Sequence, residues 1–415
     1  MVDLVTKAHG AVAALVGLVG FAIAGIRWAR RRRHPAAPGP VEPVKFSGRT
    51  RKAFIDRVWS QRIVNGLERS LQHAAEMHLG MRNTPELVKL TYAQSTAEPD
   101  EVLGIESAYE QAGGQLLITG LPGSGKTTEA LKLMRYLLEI ARRDPSGPIP
   151  ELFPLASWAK ERKPIIEWLA DQLQLRHGRP LSEARSLVWD HRVVPFLDGL
   201  DEVAAEHRRQ CLQEINRFWE THRGGPLVLC SRPREYEELP ERVKFGGAVT
   251  VCPPEAQQVD EYLAAAGVRW DPVRAELRAG SSTYLRELLA TPLMLSIAVL
   301  AYLGDDPSEL CEAHDAEGQR EALWSQYVSA VTTRGYDPDQ REPAEIPAPY
   351  TEEETKRWLG WLASEMRARN ETELWLHEWA GPLSFRRKVR IGTGLVAGLI
   401  VGVIAGLIYR LSVGL

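Results

Sequence analysis

The stretch Gly120–Thr128, GLPGSGKTT, constrains this chain more than any other feature. It follows a short apolar run, Gln115–Thr119, and opens a helical pattern over Lys126–Arg142. It therefore fills G-x-x-x-x-G-K-[ST] in the strand–loop–helix setting that gives the pattern its chemistry. Gly120, Gly123 and Gly125, with Pro122 and Ser124 between them, let the loop curl until successive backbone N–H groups face one anion. Lys126 adds a mobile positive charge for β- and γ-phosphates, Thr127 a hydroxyl for Mg²⁺, and Thr128 continues the first helical turn. The positive end of that helix points at the same phosphates. A glycine turn before an ordinary helix is the competing reading, but from average composition a chain this long would match the motif by chance only on the order of one time in a hundred.

Around the loop the chain alternates short apolar runs with helical patterns. Strands are expected at Gln115–Thr119, Leu152–Leu155, Val193–Leu197, Pro226–Cys230 and Ala248–Cys252. Helices are expected at Lys126–Arg142, Pro164–Leu175, Glu206–Thr221 and Tyr236–Arg242. Such alternation predicts an α/β fold with a parallel sheet covered on both faces. From residue 254 onward strand signals cease and an all-helical region follows. Its tryptophans, Trp324, Trp358, Trp361, Trp375 and Trp379, are expected to fill a helical core.

Two further motifs sit where the loop needs them. Val193–Glu202 reads VVPFLDGLDE, an apolar strand whose last carboxylate, Asp198, reaches the sheet edge as a Mg²⁺ ligand. Gly199 leaves space beside the metal, and Asp201 and Glu202 can orient a water for attack on a γ-phosphate. Pro226–Arg234, PLVLCSRPR, is a second buried strand ending in Arg232, whose planar fork suits phosphate oxygens.

Composition closes off several other classes. Lys and Arg number 51 against 54 Asp and Glu, a net charge of −3, so no nucleic-acid partner is predicted. The four cysteines form no C-x-x-C pair and the histidines no H-E-x-x-H, which argues against structural zinc and a disulfide framework. In HAAEMH, His73 and His78 lie five apart, on different faces of a helix, so a solvated face is the better reading than a metal site.

Two uncharged apolar runs, Gly10–Ile26 and Ile391–Tyr409, span roughly 26 and 28 Å at about 1.5 Å per helical residue. Arg27 and Arg30–Arg33 follow the first, and Arg386, Arg387, Lys388 and Arg390 precede the second. The first run could instead be a secretory signal peptide, but Met1–Lys7 before it has balanced charge and the arginines follow at once. The positive-inside rule therefore favours a two-span cell-membrane protein with its nucleotide domain cytoplasmic and a lipid bilayer as partner. Gly394, Gly398, Gly402 and Gly406 recur every four residues in the second run, a stripe suited to close helix approach. The expected organisation is a transmembrane helix at 8–28, a basic, Pro-rich linker at 29–50 and a helical subdomain at 51–102. The nucleotide core follows at 103–253, a helical or winged-helix-like extension at 254–385, and a glycine-striped transmembrane helix at 391–409.

Taken together, GLPGSGKTT, FLDGLDE, LVLCSRP and Thr291–Ser296 (TPLMLS) resemble the NACHT branch of the STAND signalling ATPases, bacterial type, over about Leu103 to Tyr302. The small residue and acidic pair after Asp198 are that branch's distinguishing pattern. The resemblance implies a P-loop NTPase fold with Lys126 and Thr127 on phosphate and magnesium and Asp198 on the metal. It further implies Asp201 and Glu202 on the water, Arg232 in the sensor position and Pro292 on adenine. ATP and Mg²⁺ are the implied cofactors. Slow hydrolysis would control homo-oligomerisation in response to an unknown trigger, in defence or regulated cell death. A transport or remodelling ATPase with continuous turnover and a non-hydrolysing scaffold are the alternatives. No LSGGQ signature or second phosphate loop favours the former, and the intact acidic pair disfavours the latter.

Overall fold

A computed structural model describes residues 48–68, 77–89, 101–222, 224–280, 282–312, 316–333 and 351–369. Its centre is a sheet with strands β1 (Met81–Asn83), β2 (Val102–Leu103), β3 (Gln115–Thr119), β4 (Ile149–Pro154), β5 (Val193–Asp198), β6 (Leu227–Ser231) and β7 (Gly247–Val251), in the order β2-β1-β7-β3-β6-β5-β4. Strands β7, β3, β6, β5 and β4 run parallel. The short β1 pairs antiparallel with β7 and β2. β6 and β4 are buried at every residue and β3 at all but its first, as a sheet covered on both faces requires. The order places β6, which leads into Arg232, between the loop-bearing β3 and the strand that ends in Asp198.

Helices cover the sheet because their apolar residues recur on one face. In α3 (Lys126–Arg143) that face is Ala130, Leu131, Leu133, Met134, Leu138 and Ala141. In α6 (Ala205–Thr221) it is Cys211, Leu212, Ile215 and Trp219. The helices before, between and beside them are α1 (Gly48–Val58), α2 (Ile105–Gln111), α4 (Ile165–His177), α5 (Leu181–Trp189) and α7 (Pro233–Glu237). Full burial of a side chain such as Phe153 or Phe196 contributes about 1.5–3 kcal/mol.

The start of the segment expected as a helical subdomain packs into this core. Phe54, Ile55 and Val58 of α1, and Ile63 and Leu67 of the π-helical turns that continue it, are buried in the same cluster as the strands. A buried charge cluster ties them to the sheet edge. Glu151 of β4 meets His177 Nε2 at 2.7 Å, Arg62 at 3.5 Å and Arg176 at 3.9 Å. Burial by itself raises the Glu151 pKa, but the His177 hydrogen bond and the three neighbouring charges outweigh it and hold the carboxyl at about 2.

Beyond β7 the described residues hold helices and no strand, the longer helices being α8 (Ala256–Ala265), α9 (Asp271–Ala279), α10 (Thr283–Leu288), α11 (Pro292–Ala301), α12 (Ala316–Thr333) and α13 (Glu352–Arg369). α8 opens with a capping box between Glu255 and Gln258. The Thr291 hydroxyl caps α11 by accepting from Met294 N, with Pro292 in the first turn, where its missing N–H costs nothing. Tyr262, Leu263, Trp270, Leu285, Leu295 and Leu323 belong to a second core.

Two expectations are corrected here. Trp324, Trp358 and Trp361 do not fill a helical core; they are 41%, 56% and 42% exposed. Trp375 and Trp379 lie outside the described residues. The expected cell-membrane localisation is corrected too, and the two flanking transmembrane helices and the bilayer partner are without support. No helix among the described residues is long and apolar enough to cross a membrane. The two apolar runs, 8–28 and 391–409, lie outside the described residues, as do most of the linker and His73.

Candidate functional site

The fold brings the three motifs to one edge of the sheet. The loop leaves β3 and turns into α3 at Gly125, whose φ of 92° is open to glycine at little cost. A Cβ on Gly120 would lie 2.5 Å from Ser124 Oγ, and one on Gly123 3.1 Å from Leu293 Cβ. Pro122 and the exposed Leu121 form the tip between them. Thr127 Oγ1 donates to Asp198 Oδ2 at 3.0 Å, uniting residues 71 positions apart. Lys126 Nζ donates to the carbonyls of Gly120 and Leu121 at 2.7 and 3.1 Å. Burial lowers the Lys126 pKa, against the opposing pull of Asp201 and Asp198. Burial raises that of Asp198, against its bond from Thr127. The buried Cys230 thiol also hydrogen-bonds Asp198, and burial pushes its pKa well up.

The acidic pair divides. Asp201 pairs with Arg232, Nε to Oδ2 at 2.8 Å, and its other oxygen accepts the Arg232 backbone N–H at 3.1 Å. Glu202 folds over Gly199, where an ideal Cβ would meet Oε2 at 2.7 Å and Cδ at 2.8 Å. Gly199, at φ 79°, thus makes room for the glutamate as well as ending the strand.

A cavity of about 330 Å³ extends from the loop and is lined by Gly123, Gly125, Lys126, Thr127 and Thr128 on one side. Pro292, Leu293, Ser296 and Tyr262 of the helical region line it too, with Met77 and Leu79. The Leu293 N–H donates to the Gly123 carbonyl at 3.3 Å, so the start of α11 touches the loop directly. Pro292 is therefore beside the loop, while Tyr262, Leu293, Ser296, Met77 and Leu79 are wall residues that the motifs do not reveal. So are Glu129 and Lys132, a buried pair 2.8 Å apart, with Lys132 also donating to the Met77 carbonyl at 2.8 Å. Their i, i+3 spacing on α3 was the one available signal.

The donor set fits a hard divalent cation: a hydroxyl and a carboxylate within hydrogen-bond reach, and no thiolate or imidazole cluster among the described residues. The loop also buries an orphaned polar atom, Ser124 Oγ, which has no protein partner. Thr127 and Asp198 would hold Mg²⁺, which when bound neutralises phosphate charge.

No family model matches the chain, and no curated protein matches it. Solved structures similar to it include C. elegans PCH-2, at 14% identity and TM-score 0.29 over 50% of this chain and 62% of that one. The chain thus spans less than two thirds of PCH-2. Others are the Aeropyrum pernix ORC1 protein in complex with DNA, at 14% and 0.30 over 72% and 69%, and domain III of the Thermotoga maritima replication initiation protein DnaA, at 12% and 0.30 over 54% and 90%. At such scores the likeness carries no argument, and the class rests on the chain's own topology. A mostly parallel sheet with the glycine loop between β3 and α3, followed by a helical region, defines a P-loop NTPase fold.

Proposed function

We propose that this chain is an ATP-dependent switch of the NACHT type that binds ATP with Mg²⁺, hydrolyses it slowly and self-associates in its ATP-bound state. The observation that carries the reading is the 3.0 Å bond between Thr127 and Asp198, the two expected metal ligands. In this reading the loop N–H groups and Lys126 hold the β- and γ-phosphates, and the cavity beside Pro292 takes the base. A water oriented by Glu202 attacks the γ-phosphorus. A new P–O bond forms as the β–γ bridging bond breaks, ADP leaves, and the water's proton passes to the Glu202 carboxylate.

Contact between α11 and the loop supports a switch, because a ligand touching both can bias how they sit. The test is turnover measured together with oligomeric state in ATP and in ADP. Slow turnover with assembly only in ATP is expected. Fast turnover at constant stoichiometry would replace the switch with a continuously cycling ATPase, and failure of ATP–Mg²⁺ to bind would remove the nucleotide reading altogether.

A further inference from the structure

The two acids after Gly199 are neighbours in sequence but not in environment. The Asp201 side chain is 7% exposed, and both of its oxygens are occupied by one residue. Oδ2 takes the Arg232 Nε, and Oδ1 takes the Arg232 main-chain N–H, so the carboxylate grips that arginine at two points. The other side of the turn is fixed as well, since Arg208 Nη2 donates to the carbonyls of Asp201 and Val203 at 2.9 and 3.2 Å. Glu202, by contrast, lies against Gly199, one residue from Asp198.

We propose that Asp201 is a positioning residue that acts through Arg232, and that Glu202 is the acid that meets the water. The inference rests on the nucleotide reading above. A guanidinium held by its Nε edge presents its two terminal nitrogens as a fork. Glu235 Oε1 forms a long ion pair with Nη1 at 3.7 Å, beyond hydrogen-bond distance, so it adds a charge beside the fork without taking one of its N–H groups. At the sheet edge, between the loop strand and the Asp198 strand, such a fork matches the oxygens of a γ-phosphate, which ATP has and ADP lacks. Asp201 would therefore set discrimination between the two nucleotides rather than the chemical step.

The experiment is a double-mutant cycle on the full chain, reading ATP and ADP affinity by calorimetry and kcat by phosphate release. Asp201→Ala and Arg232→Ala should each reduce the ATP-over-ADP affinity ratio by about 10- to 100-fold, the loss expected for charged hydrogen bonds. The double variant should lose no more than either single one. Glu202→Gln should lower kcat equally in the Arg232 and Arg232→Ala backgrounds. Asp201→Asn, which keeps the shape, covers the case in which the alanine variant does not fold, with thermal melting read alongside. A purely structural role would weaken ATP and ADP alike and leave their ratio unmoved, which overturns the proposal. A further fall in kcat when Asp201→Ala is added to Arg232→Ala overturns it too, by returning Asp201 to the water. Lys126→Ala separates the layers. If it abolishes binding while Arg232→Ala leaves the ratio intact, the clamp falls and the nucleotide reading stands. If wild type binds neither nucleotide, both fall.

Discussion

Gly199→Ala tests the reasoning about Glu202 most sharply. At φ 79° an alanine sits in the left-handed region, which costs about 1–2 kcal/mol. The added Cβ would also lie 2.7, 2.8 and 3.2 Å from Oε2, Cδ and Cγ of Glu202. These atoms belong to a flexible side chain, so the collision is relieved by swinging the carboxylate away instead of by moving the sheet. The stability loss should stay near the backbone term, and at about 2–4 °C per kcal/mol for a unit of roughly 150–250 residues the melting point should fall by about 2–8 °C. Catalysis should suffer far more, because a displaced general base forfeits about 10²–10⁴-fold in rate. ATP–Mg²⁺ affinity should hold, since Lys126, Thr127 and Asp198 are untouched. Calorimetry, phosphate release and thermal melting on one preparation read all three. A folded variant with normal kcat would refute the argument, because Glu202 would then act from somewhere other than its place over Gly199.

Other perturbations read separate parts of the molecule. Lys126→Ala should abolish tight nucleotide binding by calorimetry, because the phosphates lose their main charge partner, with melting in the absence of nucleotide little changed. Glu151→Gln should lose stability in a pH-dependent way. The folded pKa of about 2 lies below the ordinary 4.5, so the carboxylate's contribution is full above about pH 4.5 and lost as pH falls toward 2. The gap between wild type and variant in urea unfolding should be on the order of 3 kcal/mol at pH 7 and close toward pH 2. A gap independent of pH would show that the Arg62, Arg176 and His177 contacts do not hold the charge.

The legible parts of the fold were those written as continuous burial or fixed spacing. β3, β5 and β6 are apolar runs buried from both sides, and their expected bounds lie within a residue of the observed ones. β1 and β2 escaped because strands of three and two residues at a sheet edge carry too little pattern. α5 escaped too, since only Ala184, Ser186, Leu187 and Val188 among its nine residues are buried. The tryptophans misled because a large apolar side chain says nothing about which helix face it occupies, and Trp358 and Trp361, three apart on α13, share an exposed one. Motif spacing singles out Lys126, Thr127, Asp198 and Arg232, which the fold brings to one end of the sheet, but no spacing distinguishes Asp201 from Glu202. Their difference comes from the turn that Gly199 permits and from β6 lying alongside β5. Tyr262, Leu293 and Met77 were invisible because tertiary packing alone brings them to the cavity.

The walls of that cavity bear on how much work a nucleotide can do. Met77 packs against both the sheet core and the helical core, and Lys132 holds its carbonyl at 2.8 Å, so three stretches of chain meet around one ligand space. Moving a two-state equilibrium from 1:99 to 99:1 needs about 10⁴-fold preference for one state. A γ-phosphate read by one arginine fork supplies about 10- to 100-fold, enough to bring such an equilibrium only to between about 1:10 and about 1:1. In the proposed switch the remainder must come from association, which stabilises the competent state by mass action. Assembly in ATP should therefore depend steeply on protein concentration, with a mixture of states at low concentration and oligomers above a threshold. Sedimentation velocity across a hundredfold concentration range, in ATP and in ADP, reads this directly. Complete conversion by ATP at the lowest concentration would mean that the γ-phosphate makes contacts well beyond Arg232.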